Sequence, residues 1–269
     1  MPFYSRENID SVYYELHGDG PPLLLVSGLS GGTWTWSGLT PDFQQHYRVI
    51  AFDNRGAGRS VIPAGPYKMQ EFAADALGLL DHLQVESACV LGISMGGMIA
   101  QELALLAPHR IKALVLGCTN CGGRTRISPA RDAMALLINN DGLSQEQITE
   151  KNLPLFLSEE CRREHPEIVE AYRNLQLQSP LQPEFAFIAQ LQAINAFDCC
   201  DRLSEIRAPT LIISGTEDVL VPVENARYLA AHVPGAELVE IRGAGHALHV
   251  ECRERLFGLA HAFFKRYAY

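Results

Sequence analysis

Apolar positions along this chain follow two alternating patterns. Short runs of aliphatic and β-branched residues at 22–27, 48–52, 88–93, 112–116, 210–214 and 237–241 read as strands, most of them apolar on consecutive residues and so buried on both faces. Residues 11–16 ahead of them read as an antiparallel start. Between the runs, residues 69–83, 95–106, 223–231 and 253–266 carry apolar side chains at three-to-four spacing, the period of a helix with one face packed. Strand and helix in alternation predict an α/β fold with a mostly parallel sheet covered on both faces.

The pattern changes between Thr119 and Arg207. No strand run appears there, and four helical segments follow, at about 129–138, 144–153, 159–176 and 183–197. They predict a helical cap, residues 119–207, inserted into a core made of residues 1–118 and 208–269. No internal repeat, low-complexity tract or long linker interrupts the chain.

Composition narrows the class. A length of 269 residues suits one α/β core, and 47% hydrophobic with 20% charged residues is the balance of a folded, soluble protein. The net charge of −9 argues against attraction to phosphate backbones or anionic lipid, so neither nucleic acid nor membrane is expected as a partner. Residues 1–8 lack the basic start and apolar run of a secretory signal, which points to the cytoplasm. Seven cysteines, an odd count with several in apolar runs, predict reduced, buried thiols. Cys118-x-x-Cys121 has no second pair to complete four zinc ligands, so no metal is expected.

The chemistry concentrates at Gly92-Ile93-Ser94-Met95-Gly96-Gly97, between a strand and a helix. In that setting G-x-S-x-G forces a tight turn that exposes the serine hydroxyl above the sheet. Elsewhere the same letters make only a glycine-rich turn. A serine hydroxyl is a weak nucleophile at neutral pH and needs a base, and the base needs an acid to orient it. Gly243-Ala244-Gly245-His246 follows the last strand run and offers His246 as the base, with His249 as the nearest rival. Gly215-Thr216-Glu217-Asp218 follows the preceding run and offers Asp218, ahead of Glu217, as the acid. A turn-capping role is the plain alternative for Asp218.

Taken together, these residues resemble the α/β-hydrolase superfamily over nearly the whole chain. Phe52-Asp53-Asn54-Arg55-Gly56-Ala57-Gly58-Arg59-Ser60 is similar to the family's D-x-R-G-x-G-x-S loop, which is mainly structural. Ser27-Gly28-Leu29-Ser30-Gly31-Gly32 stands where the family has H-G-x-x-G-G, with Ser27 replacing the usual histidine. The resemblance implies an eight-stranded-type sheet and an oxyanion hole made by the backbone amides of Leu29 and Met95. It also implies no cofactor.

Within the family the chain looks like small bacterial carboxylesterases and 3-oxoadipate enol-lactonase-like hydrolases. That resemblance implies an acyl-enzyme on Ser94 and a small-molecule ester or lactone substrate, cleaved by a monomer or homodimer. Serine at the elbow argues against haloalkane dehalogenase and epoxide hydrolase chemistry, which uses aspartate there. Carbon-carbon bond hydrolases of aromatic degradation share the triad, but many carry tryptophan after the histidine, where Ala247 stands here. Acyltransferases and perhydrolases share the elbow, and a ligand receptor on the same fold is the non-catalytic alternative. Leu136, Leu137, Ile138, Phe156, Phe185, Phe187 and Ile188 in the insertion suggest an apolar substrate group, though most could equally pack helix on helix. Arg124 and Arg126 could meet a substrate carboxylate or stand as solvated hinge residues.

Overall fold

The computed structural model describes residues 3–6 and 9–268. Eight strands form one sheet: β1 (Phe3–Arg6), β2 (Ile9–His17), β3 (Pro22–Val26), β4 (Arg48–Phe52), β5 (Ala88–Ile93), β6 (Ile111–Gly117), β7 (Thr210–Gly215) and β8 (Glu237–Ile241), in the order β1-β2-β4-β3-β5-β6-β7-β8. β1 and β2 pair antiparallel, β2 runs antiparallel to β4, and every later neighbour is parallel. The mostly parallel sheet expected from the pattern is therefore present, with the eight strands that the resemblance implied. β1, whose four residues carry too little pattern to read, was not anticipated.

Around the sheet lie α1 (Thr40–Phe43), α2 (Met69–His82), α3 (Met95–Leu106), α9 (Glu224–His232), α10 (Leu248–Glu251) and α11 (Arg253–Phe264), the helices between α3 and α9 forming an insertion. Side chains alternate across each strand, so a run apolar at every position must be covered twice. Leu24 and Val26 of β3 pack in one core with Met69, Phe72 and Leu79 of α2, Met98, Ile99 and Leu103 of α3, and Leu229 of α9. Leu23 and Leu25 pack in the other with Phe43 of α1 and Leu256, Ala260 and Phe264 of α11. Each fully buried leucine or phenylalanine contributes about 1.5–3 kcal/mol relative to exposure, which is what pins the strands' register.

Between β6 and β7 the chain makes five α-helices, α4 (Arg131–Ile138), α5 (Gln145–Phe156), α6 (Glu159–Glu164), α7 (Pro166–Gln178) and α8 (Glu184–Ala196), and a short 3-10 helix at Cys200–Glu205. The single helix expected over 159–176 is two. Pro166 has no N–H and disfavours the helical region for the residue before it, so His165 takes φ −124° and ψ 66° and the chain turns. Conversely, α5 runs past Pro154, where the pattern predicted a stop, to Phe156. Burial of Leu153, Leu155 and Leu157 offsets the missing hydrogen bond there.

The ends of this insertion meet in a narrow neck. The Cys199 amide donates to the Cys121 carbonyl (2.9 Å), the Gly123 amide donates to Phe197 (3.0 Å), and Gly122 bridges Asp198. This brings the α-carbons of Cys121 and Cys200 to 5.1 Å, and the two form a disulfide. The expectation of wholly reduced thiols is thus corrected at these two positions; pairing depended on the neck, not on the Cys118-x-x-Cys121 spacing. Cys89, Cys118, Cys161, Cys199 and Cys252 are free. Among the described residues no helix is long and apolar enough to cross a membrane.

The disulfide spans 79 residues. Removing a cross-link of that reach is expected to cost about 2–4 kcal/mol, mainly through the freedom restored to the unfolded chain. Urea denaturation of Cys200→Ser, or of the protein with and without dithiothreitol, is expected to show that loss; unchanged midpoints would contradict it.

Candidate active site

Ser94 sits where β5 ends and α3 begins, at φ 55° and ψ −124°. A non-glycine residue at positive φ costs on the order of 1–3 kcal/mol and persists only where its surroundings enforce it. Here they do. A Cβ on Gly96 would stand 2.0 Å from the Val26 carbonyl oxygen, and one on Gly92 would stand 2.3 Å from that of Gly96. The glycines let the helix start sit directly against β3 and β5. The Ser94 amide donates to the Gly117 carbonyl (2.8 Å), and Thr119 Oγ1 donates to the Ser94 carbonyl (2.7 Å).

His246 and Asp218 come from the loops after β8 and β7, neighbouring strands whose C-terminal ends lie on the same edge of the sheet as Ser94. His246 Nε2 lies 3.0 Å from Ser94 Oγ, and its Nδ1 lies 2.7 Å from Asp218 Oδ2. The other carboxylate oxygen accepts from the amides of Leu220 (2.9 Å) and Val221 (2.8 Å), which fix the plane of Asp218. Both side chains are buried, so the pair acts in a medium of low polarity where an ionic hydrogen bond is strong. The three residues singled out in the sequence are therefore in hydrogen-bonded series. The Phe156 ring stands edge-on to His246 at 5.7 Å, and the Ala247 amide donates to the Phe156 carbonyl (2.8 Å), so the end of α5 braces the histidine loop.

His249 is set apart from that series. Its Nδ1 is buried without a hydrogen-bond partner among the described residues, and its ring lies 6.4 Å from that of Trp36. Burial, with the neighbouring His246, pushes its pKa down to about 3, which makes it a poor proton acceptor at neutral pH.

The Gly28–Gly31 loop runs beside the elbow: a Cβ on Gly28 would lie 3.2 Å from Ser94 Cβ. Among the described residues no hydrogen bond joins the Leu29 or Met95 amide to an acceptor; Leu29 follows Gly28 on that loop and Met95 follows Ser94. Met95 is also the first residue of α3, where the helix dipole favours negative charge. Ser27, in the place of the family's histidine, donates to the Gly32 carbonyl (2.8 Å) and closes the loop from inside. Asp53 is fully buried and accepts from the amides of Thr33 (2.8 Å) and Arg59 (2.9 Å), while Asn54 Nδ2 donates to the Ser27 carbonyl (2.8 Å). The Asp53–Ser60 segment thus holds neighbouring loops in place, as its structural reading anticipated.

Several site residues were not found in the sequence. Glu251 accepts from Ser158 Oγ (2.5 Å) and from the Ser158 (3.2 Å) and Gly245 (3.1 Å) amides, tying the His246 loop to the insertion. Cys118, Asp218 and His246 offer three donor atoms within 4.8 Å of one another. They do not suit a resident metal: His246 Nδ1 and Asp218 Oδ2 are engaged with each other, and burial, reinforced by the Asp218 carboxylate, holds the Cys118 thiol well above its usual range. Arg124 is exposed and Arg126 half-buried, with no ion pair to either among the described residues.

The family model for the alpha/beta hydrolase fold matches residues 21–251, and the chain belongs to that family. It is 31% identical over 253 residues to a candidate carbamate hydrolase, RutD, of Azorhizobium caulinodans, covering 92% of each chain. It is 30% identical over 252 residues to 3-oxoadipate enol-lactonase 2 of Acinetobacter baylyi, covering 93% of this chain and 90% of the relative. Among solved structures, the enol-lactonase of Burkholderia xenovorans LB400 superimposes with a TM-score of 0.85 at 25% identity, over 98% of this chain and 100% of that one. These likenesses support hydrolase activity.

The depressed His249 pKa has a consequence for stability. Unfolded, its imidazole binds a proton near pH 6.5; folded, it does so only near 3. Between those values the unfolded state binds more protons, so stability falls as pH drops, by up to about 1.4 kcal/mol per pH unit from this group. His249→Gln is expected to lose stability less steeply than wild type between pH 6 and 4; parallel urea-denaturation curves would contradict this.

Proposed function

We propose that this protein is a serine hydrolase that cleaves a carboxylic ester or lactone through an acyl-enzyme on Ser94. The observation that carries this reading is the unbroken series from Ser94 Oγ through His246 to Asp218, at 3.0 and 2.7 Å. Ser94 Oγ attacks the acyl carbon while His246 Nε2 takes its proton. The developing oxyanion is held by the amides of Leu29 and Met95, each contributing a few kcal/mol, about 3–4 by analogy with other such donors. His246 then gives the proton to the leaving oxygen. In the second half, His246 takes a proton from water, the hydroxide attacks the acyl carbon, and Ser94 leaves with the proton returned by His246. Asp218 orients the imidazole and stabilises its charged form throughout. No step needs a metal or organic cofactor.

Residues 119–207 act in this reading as a cap that sets which acyl or alcohol groups reach Ser94. Phe156, beside His246, supports an apolar wall on that side. The enol-lactonase relatives support a lactone or ester substrate, whereas the Azorhizobium relative's name favours a second reading in which the same serine attacks a carbamate carbonyl.

Hydrolysis of p-nitrophenyl esters of graded acyl length, of an enol-lactone and of an aryl carbamate separates these readings. Ser94→Ala is expected to lower kcat/KM on the preferred substrate by roughly 10³-fold or more with the fold retained by circular dichroism. Activity that survives the substitution would refute the nucleophile.

A further inference from the structure

The residue after Leu29 is held by a side chain of the insertion, more than 150 positions away along the chain. Gln190 of α8 is fully buried, and both ends of its amide are used: Oε1 accepts from the Ser30 backbone N–H (2.9 Å), and Nε2 donates to the Arg55 carbonyl (2.7 Å). A second insertion amide does the same one step out. Gln182 Oε1 accepts from Ser30 Oγ, and its Nε2 donates to the Gly56 carbonyl (2.7 Å).

Ser30 needs such a hold. The Gly31 amide donates to the Gly28 carbonyl (3.0 Å), closing a four-residue turn in which Ser30, the third residue, stands at φ 59°. That is the position where a turn of this type favours glycine or asparagine, and where a serine left to itself relaxes toward negative φ. Leu29 lies between two anchored peptide units. Upstream, the Gly28 carbonyl is fixed by Gly31 and by Asn54 Nδ2 (3.4 Å), and in a trans peptide the Leu29 N–H must then point the opposite way. Downstream, the Leu29–Ser30 unit is fixed by Gln190. Released, Ser30 would relax in φ and carry the Gly31 amide away from the Gly28 carbonyl, loosening the Gly28–Leu29 unit that bears the Leu29 N–H.

We propose that Gln190 is a positioning residue for the oxyanion loop, holding Ser30 at positive φ so that the Leu29 amide stays aimed at the site beside Ser94. The inference rests on the serine-hydrolase reading above. It makes the insertion a part of the catalytic framework: the side chain that keeps one oxyanion donor in place comes from α8 and not from the sheet core.

The test compares wild type, Gln190→Met, Ser30→Gly and the double variant on p-nitrophenyl butyrate, with Ser94→Ala as control. Gln190→Met is expected to lower kcat about 10- to 100-fold with KM changed by less than about threefold, the split of a donor displaced in the transition state. Ser30→Gly placed in that background removes the backbone's pull and is expected to restore kcat by about tenfold, a rescue that a merely structural role of Gln190 would not give. A folded Gln190→Met with wild-type kcat, or a loss that Ser30→Gly does not recover, overturns the proposal. Should Gln190→Met fail to fold, Ser30→Val, which leaves Gln190 intact but places a β-branched residue at positive φ, is expected to lower kcat in the same way; unchanged kcat there overturns the proposal. If the ester is not turned over, the rate of Ser94 phosphonylation by a fluorophosphonate replaces kcat. Hydrolysis that depends on Ser94 but not on Gln190 refutes only the proposal; hydrolysis indifferent to Ser94, or neither hydrolysis nor phosphonylation, refutes the reading beneath it as well.

Discussion

The close approach of α3 to the sheet at Gly96 is the constraint on which the rest of the site depends. With 2.0 Å between the Val26 oxygen and any added Cβ, only glycine permits the helix to start so near the strands, and only that start forces Ser94 into its raised conformation. Everything else is arranged around the hydroxyl this turn presents. Parallel strands deliver their following loops to one edge, so β7 and β8 bring Asp218 and His246 to it without any special bend in the chain. The sheet acts as a ruler, and the loops carry the side chains that meet at Ser94.

The insertion reaches this edge through side chains that leave the sheet itself untouched. Phe156 stands against His246, Glu251 links the His246 loop to Ser158, and Gln190 and Gln182 reach the loops at Ser30, Arg55 and Gly56. Ala189 and Ala193, on the same helix as Gln190, pack into the core shared with α2 and α3, and their small side chains let α8 lie close enough for a glutamine to span the gap. Apolar packing supplies the proximity, and the buried amides supply the direction.

Much of this was legible from residue order alone, and the reason differs by element. Strands β4 and β5 begin and end where the apolar runs do, because a strand covered on both faces cannot extend its run without extending its cover, and β8, at the half-buried edge, keeps the same bounds. Ser94, Asp218 and His246 were found because each follows a recognisable strand, and strand ends share one edge. The break at His165–Pro166 was missed because the apolar period continues across it, although the proline itself carried the signal. Gln190 and the Cys121–Cys200 pair were beyond reach of periodicity: their partners lie 160, 135 and 79 residues away, and nothing local distinguishes a glutamine aimed inward from one facing water.

The neck at Cys121 and Cys200 has an evolutionary consequence. Because the chain leaves the sheet and returns to it through one short bridged crossing, the intervening helices can be exchanged, lengthened or trimmed without disturbing the pairing of β6 with β7. Such a segment is a replaceable cassette on a fixed chassis. The replacement is not free, however: in this chain the segment also brings two amides onto Ser30 and an aromatic ring to His246, contacts a replacement would lose unless it supplied its own.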